Sequence, residues 1–295
     1  MKKYIIIAAV AMLALSSCCG QKQAPKKDIG IQIYSVRELI GNDSLYAANH
    51  EQVFKTLADQ GYTYIEACWY NNGKFFGETP EEFKADLEAA GLRAMSTHTT
   101  QNLTDEEVES GDFSAHMDWW KQCIADHKTL GCKYIVAPSY RIPKTLAGIK
   151  VYCDYFNAIG KLCAENGMKF GYHNHSREFE KVEGTVIYDY MLQNTDPENV
   201  FFEMDVYWAN MGKAQPVEYF KKYPGRFTML HIKDWAEVGQ SGVVGFDAIF
   251  NNAETAGMKH YVVEMEFSSV GDILKTSEIS ANYLKAADFV KPCYE

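Results

Sequence analysis

The chain alternates eight times between a short apolar segment and a longer segment of helical periodicity. The short segments are rich in aromatic and β-branched residues, which favour strands, and several follow a helix that ends in glycine. The predicted strands are residues 29–34, 62–69, 92–98, 132–138, 168–173, 200–205, 227–232 and 260–267. Strands that alternate with helices pair in parallel, and eight such units predict an α/β fold whose sheet closes into a (β/α)₈, or TIM, barrel.

Amphipathic helices fill the segments between these strands. They are predicted over residues 51–60, 81–90, 144–165, 216–223, 246–256 and 272–291. Neither a GxGxxG nor a Walker motif occurs, which disfavours a nucleotide-binding, doubly wound sheet. No linker or low-complexity segment follows Asp28, so residues 29–295 are predicted to form one barrel domain.

The composition narrows the classes of partner. With 47% hydrophobic residues, a chain of 295 residues is long enough to bury one large core. The formal net charge is −10, and because an acidic surface repels phosphate backbones we expect no nucleic-acid partner. Six of the eight cysteines follow the N-terminal region without any CxxC pair. They are expected to be buried free thiols rather than metal ligands. One disulfide among them is the alternative.

The first residues predict export and a lipid anchor. Two lysines precede the apolar run 4–15, which is too short to span a bilayer comfortably. The sequence Leu-Ser-Ser-Cys at 15–18 resembles a bacterial lipoprotein signal. The resemblance implies a signal peptide over 1–17, lipid on Cys18, a flexible tether over 18–28, and a location in the periplasm or on the outer membrane. An ordinary secretory signal and an uncleaved anchor are the alternatives.

Four consecutive strands in the second half of the chain end in a residue type that binds metals. These residues are His173, Asp205, His231 and Glu264. Because the carboxyl ends of the strands meet at one face of a TIM barrel, their side chains are expected to converge there. Imidazole and carboxylate donors without a thiolate suit a catalytic site for Mn²⁺, Co²⁺, Fe²⁺, Mg²⁺ or Zn²⁺. Each residue alone has a plainer interpretation, such as a core histidine, a helix cap or a rim ion pair.

Other residues at or after the strand ends are candidates for substrate binding. They are Glu66, His98, Tyr140 and Lys233. Polar side chains at these positions would hydrogen-bond a substrate oxygen, and an aromatic ring on a βα loop would stack on a sugar. Packing in the core and a surface ion pair are the alternatives.

The strand-end carboxylates, the Tyr-His-Asn-His segment at 172–175 and the His-Ile-Lys-Asp segment at 231–234 resemble those of a known family. It is the sugar phosphate isomerase/epimerase group, the xylose isomerase-like TIM barrels. The group includes ketose epimerases, hydroxypyruvate isomerase, inosose dehydratase and apurinic-site endonucleases, the last disfavoured here by the acidic charge. The resemblance implies that the metal ligands include Asp205, His231 and Glu264.

The fifth strand departs from part of that group. Ketose epimerases have a glutamate, which is both ligand and acid/base, where this chain has His173. The fourth ligand is then either His173 itself or Glu178 reaching back. A histidine-rich fifth strand resembles inosose dehydratase and the branch that acts on 3-keto-sugars, so a lyase outcome stays open.

The resemblance implies metal-assisted removal of a proton next to the carbonyl of a sugar or keto-sugar. The base would be a neutral His173 or His175, or the carboxylate of Glu264, and Mn²⁺ is the first choice of metal. Return of the proton to the enediolate gives isomerisation or epimerisation. Loss of a β-leaving group instead gives a lyase or dehydratase acting on a keto-sugar or 3-keto-glycoside. A non-catalytic sugar-binding lipoprotein is the third hypothesis, and a homo-oligomer is left open.

Overall fold

A computed structural model describes residues 26–295, so the predicted signal peptide, Cys18 and most of the tether lie outside the described residues. Its centre is a ring of eight strands. In chain order they are β1 (Gly30–Gln32), β2 (Tyr64–Ala67), β3 (Ala94–His98), β4 (Tyr134–Ala137), β5 (Lys169–His173), β6 (Val200–Asp205), β7 (Met229–Lys233) and β8 (His260–Glu264).

The eight strands form a closed barrel, and every neighbouring pair in it is parallel. Each strand pairs with its neighbours in sequence, and β8 pairs with β1 to close the ring. The predicted TIM barrel is therefore confirmed. Most strands are shorter than predicted, whereas β6 has the predicted bounds and β7 begins two residues later than predicted.

Helices surround the barrel. They are α1 (Arg37–Ile40), α2 (Asp43–Gln60), α3 (Pro80–Ala89), α4 (Asp105–Ser110), α5 (Ser114–Leu130), α6 (Leu146–Glu165), α7 (Ile187–Asn194), α8 (Val206–Met211), α9 (Pro216–Lys222), α10 (Phe246–Asn251), α11 (Ala253–Ala256) and α12 (Ile273–Ala286). Helix α2 begins earlier than predicted because the Asn42 side chain caps it by accepting a hydrogen bond from the Leu45 amide. The helix predicted over 246–256 is interrupted at Asn252.

Short elements decorate the loops that follow the carboxyl ends of the strands. Two 3₁₀ helices, Ile33–Val36 and Ser176–Phe179, follow β1 and β5. Two small hairpins lie after β2 and β5. Their strands are Tyr70–Asn71 with Lys74–Phe75, and Lys181–Val182 with Thr185–Val186. These loops build the wall of the barrel mouth.

Apolar side chains fill the lower part of the barrel, toward the amino ends of the strands. This apolar plug consists of Tyr64, Met95, Tyr134, Val136, Phe201, Met229 and Val262. Two glycines leave space for its rings: a Cβ on Gly30 would overlap Tyr64, and a Cβ on Gly171 would lie 2.5 Å from the Phe201 ring. The plug closes the floor of the barrel, so polar side chains above it face the carboxyl-terminal mouth.

The cysteines behave largely as the sequence predicts. All six among residues 26–295 are free, and five of them are buried, whereas Cys293 is exposed. In the part of the chain that the structure describes, no helix is long and apolar enough to cross a membrane.

Replacing Gly171 by alanine is expected to lower the free energy of unfolding by about 1–3 kcal/mol, because the added methyl group would displace the Phe201 ring. Equilibrium denaturant titration measures this change. Gly245→Ala is the control, since its φ is −80° and an added Cβ would meet side-chain atoms only at 3.9 Å or beyond. The control should change stability by less than about 0.5 kcal/mol. Equal stability of the two variants would contradict the packing of the plug.

Candidate metal centre

A buried polar layer lies above the apolar plug, at the carboxyl ends of the strands. It consists of the buried residues Glu66, His173, Glu203, Asp205, His231, Lys233 and Glu264, together with the partly buried His98. Several of these residues follow a plug residue by two positions, as Glu203 follows Phe201 and His231 follows Met229. Because side chains two residues apart in a strand point to the same side, the plug and the polar layer stack inside the barrel.

One group of donor atoms in this layer comes from three adjacent strands. Atoms of Asp205, His231 and Glu264 lie within 4.8 Å of one another. His231 Nδ1 is 3.8 Å from Asp205 Oδ2 and 3.6 Å from Glu264 Oε2. His231 Nδ1 and Asp205 Oδ2 are buried without a hydrogen-bond partner. Because buried polar atoms are normally paired, unpaired imidazole and carboxylate atoms that converge in this way fit a divalent cation.

Glu66, a predicted substrate-binding residue, is fully buried and lies behind His231. Its Oε1 is 2.8 Å from His231 Nε2. The carboxylate also accepts hydrogen bonds from Gln32 Nε2 at 2.9 Å and from Ser96 Oγ at 2.7 Å. A carboxylate at Nε2 favours the tautomer that carries its hydrogen there, which leaves the Nδ1 lone pair available to a metal. The contacts therefore assign Glu66 a role in positioning His231.

A second group of donor atoms lies within 4.8 Å and comprises those of His98, His173, Glu203 and His231. His98 Nε2 is 2.9 Å from both Glu66 Oε1 and Glu203 Oε2. His173 Nδ1 is 3.3 Å from Glu203 Oε2. The sequence-based site does not include Glu203, although its place two residues before Asp205 on one strand already puts both side chains on the same face.

Burial shifts the pKa values of this layer. Burial raises the pKa of Asp205 to about 7, and burial together with the charge of Glu66 raises the pKa of Glu203 to about 7. Burial alone would lower the pKa of His98, but Glu66 and Glu203 outweigh it and raise that pKa to about 9. The carboxylates of Asp205 and Glu203 therefore bind a proton more tightly than free carboxylates do.

His173 and His175 are both neutral bases at neutral pH. Burial, together with the nearby His231 and His98, lowers the pKa of His173 well below its usual value. Burial also lowers the pKa of the partly buried His175. The Nδ1 atom of each ring has no hydrogen-bond partner. The His175 ring lies 5.1 Å from the His173 ring and 5.8 Å from the Trp208 ring.

Lys233, predicted to bind a substrate oxygen, is only 2% exposed. Its Nζ lies 3.1 Å from Glu264 Oε2 and 3.1 Å from Glu266 Oε1. Burial would lower its pKa, but the charges of Glu264 and Asp205 outweigh burial and raise it. Lys233 therefore stays charged and fixes the Glu264 carboxylate.

Glu178 and Tyr140 lie outside both groups of converging donor atoms. The Glu178 carboxylate accepts hydrogen bonds from the Tyr172 hydroxyl at 2.6 Å and from the His175 amide at 2.8 Å. These hydrogen bonds to Glu178 fix the conformation of the turn after β5. Tyr140 is 2% exposed, and its hydroxyl donates to Met191 Sδ. Glu178 and Tyr140 thus form part of the protein packing around the polar layer. Of the two residues considered as fourth ligand, only His173 belongs to a converging group.

Replacing Glu66 by glutamine is expected to weaken binding of Mn²⁺ by about 10–100-fold, because the amide no longer selects the His231 tautomer with a free Nδ1. Isothermal titration calorimetry of the metal-free protein with Mn²⁺ measures the affinity. Glu178→Gln is the matched control, since it removes another buried carboxylate and should leave the affinity within about threefold. A loss confined to Glu178→Gln would instead make Glu178 the fourth ligand.

Comparisons with known proteins place the chain in a family. The family model of the xylose isomerase-like TIM barrel matches residues 54–293. A sugar phosphate isomerase/epimerase from Parabacteroides distasonis is 37% identical in its crystal structure, with a TM-score of 0.81 over 90% of this chain and 100% of that chain. An L-ribulose 3-epimerase structure at 15% identity shares the fold, with a TM-score of 0.67 over 88% of this chain and 93% of that chain.

The chain is also 25% identical over 200 residues to inosose dehydratase from Geobacillus kaustophilus, a match that covers 62% of this chain. The matched segment spans only 61% of the length of that relative. The family model alone covers more than half of the present chain. The chain therefore belongs to the xylose isomerase-like TIM barrel family.

Proposed function

We propose that the protein is a divalent-metal-dependent sugar isomerase or epimerase that removes a proton next to a carbonyl and forms an enediolate. The observation that carries the proposal is the convergence of Asp205, His231 and Glu264, with unpaired donor atoms on Asp205 and His231. The sugar isomerase/epimerase relative from Parabacteroides distasonis supports the same class of substrate.

The residues that would hold the cation are Asp205, His231 and Glu264, with His173 as the fourth ligand. When bound, the cation would polarise the sugar carbonyl and lower the energy of the negative charge that develops on its oxygen. The donor set is oxygen and nitrogen without thiolate, which suits Mn²⁺ first, and also Co²⁺, Mg²⁺, Fe²⁺ or Zn²⁺.

His175 is the base in this proposal. Its imidazole is neutral, since burial lowers its pKa, and its ring lies 5.1 Å from the ring of His173. The imidazole would take the proton from the carbon beside the carbonyl and return it to the neighbouring carbon. Glu264 is a poorer base because Lys233 holds its carboxylate in the charged state.

Elimination from a keto-sugar is the second candidate, and the fifth strand favours it. Epimerisation needs an acid/base group on each face of the sugar, and His173 is buried among other histidines rather than paired for that task. In an elimination, His175 would accept the proton from the carbon beside the carbonyl. The electron pair would form a carbon–carbon double bond, the bond from the next carbon to its oxygen would break, and the leaving oxygen would regain the proton from His175. The inosose dehydratase relatives support this outcome.

Proton NMR in D₂O tests the proposal on a panel of keto-sugars and 3-keto-glycosides with Mn²⁺. The wild-type protein should exchange deuterium into the carbon beside the carbonyl, lose this activity with a chelator, and regain it with Mn²⁺ or Co²⁺. His175→Gln should slow the exchange by about 10²–10⁴-fold, because the base is gone, while it keeps its affinity for Mn²⁺.

Two controls make the outcome decisive. Asp205→Ala should lose both metal binding and exchange, and full activity of its metal-free form would refute the mechanism. A wild-type protein that binds a keto-sugar without any deuterium exchange would support the non-catalytic sugar-binding hypothesis instead. The identity of the product, an isomer or an unsaturated sugar, distinguishes the two catalytic outcomes.

We propose further that lipid on Cys18 anchors the protein to a bacterial membrane facing the periplasm, on the basis of residues 15–18. Cys18→Ala should move the protein from the membrane fraction to the soluble fraction and abolish labelling by radioactive palmitate. Cys19→Ala is the adjacent control and should leave both unchanged. Membrane attachment that survives Cys18→Ala would point to an uncleaved apolar anchor.

A further inference from the structure

Exposed apolar side chains collect at one face of the protein. The large apolar residues that are exposed among residues 26–295 are Tyr34, Met211, Trp235, Val243, Phe267 and Val270. All six lie in segments that follow the carboxyl end of a strand. Tyr34 lies in the 3₁₀ helix after β1, Met211 ends the short helix α8, and the other four precede the next helix. The mouth above the candidate metal centre is therefore the apolar face of the described structure.

Two of these residues form a stacked aromatic platform. The Trp235 and Phe267 rings have centroids 4.7 Å apart and an interplanar angle of 18°. Their side chains remain 55% and 50% exposed, respectively. Half-exposed tryptophan and phenylalanine rings are uncommon on a solvated surface, and aromatic faces of this kind bind the apolar faces of sugars and other rings.

The platform lies at the same mouth of the barrel as the candidate metal centre. Trp235 follows His231 by four residues on the β7 side, and Phe267 follows Glu264 by three residues on the β8 side. At about 3.6 Å per residue, their Cα atoms lie no more than about 14 Å and about 11 Å from those of the two candidate ligands. A ligand that reaches from the metal centre to the platform would need to span no more than about these distances.

Hydrogen bonds hold the two loops of the platform in place. Asp234 Oδ1 accepts a hydrogen bond from the Trp235 amide at 2.8 Å. Glu237, in the loop after β7, accepts hydrogen bonds from the Ser269 amide at 3.1 Å and from the Ser269 hydroxyl at 2.7 Å. Because these bonds tie the loop after β7 to the loop after β8, the platform is preorganised.

The aromatic surface continues beyond the platform toward β1 and β2. The guanidinium of Arg37 donates to the Glu266 carbonyl at 3.1 Å and lies 4.5 Å from the Tyr34 ring centroid. The Tyr34 ring lies 5.5 Å from the Trp69 ring. Loops of four adjacent strands, β7, β8, β1 and β2, thus form one wall of the mouth.

We propose that the substrate is a glycoside, and that the platform of Trp235 and Phe267 binds its aglycone ring while the keto-sugar ring occupies the metal centre. This inference rests on the proposed function, whose site it extends. A second copy of the chain is the weaker occupant. The exposed halves of the Trp235 and Phe267 side chains together offer only about 200 Å² of apolar surface. A stable interface buries ~800 Å² per partner.

The test compares kcat/KM for phenyl 3-keto-β-glucoside and for 3-keto-glucose. Trp235→Ala and Phe267→Ala should each lower the ratio of the two values by about tenfold or more, because stacking on the aglycone is lost. Val270→Ala, an equally exposed residue in the same loop as Phe267, should leave the ratio within about twofold. Equal losses on both substrates would overturn the proposal.

Two further measurements separate this inference from the proposed function. If the wild-type protein turns over neither compound, the proposed function fails, and calorimetry with phenyl β-glucoside and glucose then tests the platform alone. A preference for the phenyl glucoside that Trp235→Ala removes supports the platform, and the lack of a preference overturns it. Sedimentation velocity completes the test, since a dimer that Trp235→Ala dissociates would assign the platform to a second copy of the chain.

Discussion

The burial of carboxylates inside the barrel is the constraint on which the rest of the structure depends. Glu66, Glu203, Asp205 and Glu264 lie above an apolar plug, with the ammonium of Lys233 at their upper edge. Charges removed from water cost several kcal/mol each unless they are compensated. Protons bound to His98, Glu203 and Asp205 reduce the negative charge of the layer, and the pKa values of all three groups are raised. A divalent cation at this site would supply compensation without those protons, and its binding would then be coupled to the stability of the barrel.

The candidate ligands share a common arrangement that explains how the site is preorganised. Asp205 uses Oδ1 to cap α8, where it accepts a hydrogen bond from the Trp208 amide at 2.7 Å, and leaves Oδ2 unpaired. His231 uses Nε2 toward Glu66 and leaves Nδ1 unpaired. One atom of each side chain is thus fixed by the protein, while the other faces the neighbouring ligands. Fixed donors need little reorganisation when charge develops on a substrate, which is the main source of electrostatic catalysis.

The sequence predicts the barrel and the candidate ligands at the strand ends because both depend on strong, local periodicities. Eight alternations of strand and helix leave few other folds, and the position at a strand's carboxyl end places Asp205, His231 and Glu264 at one mouth. The tilt and register of the strands decide which side chains meet across the barrel, and these are not local properties. For that reason the contact between Glu66 and His231 could not be read from the sequence. Glu178 follows the same rule at short range, since the turn after β5 directs it toward Tyr172.

His173 has the strongest influence on which reaction such a site performs. As a neutral ligand in place of a glutamate, it would leave two carboxylates, on Asp205 and Glu264, to balance a divalent cation, which would make the site a stronger electrophile. A histidine there would also not supply the second carboxylate that the resemblance to ketose epimerases implies for epimerisation. The proposed base, His175, packs next to Trp208, with ring centroids 5.8 Å apart. A single base can both take a proton and return it to a leaving group on the same face, whereas epimerisation would need a second acid/base group on the opposite face.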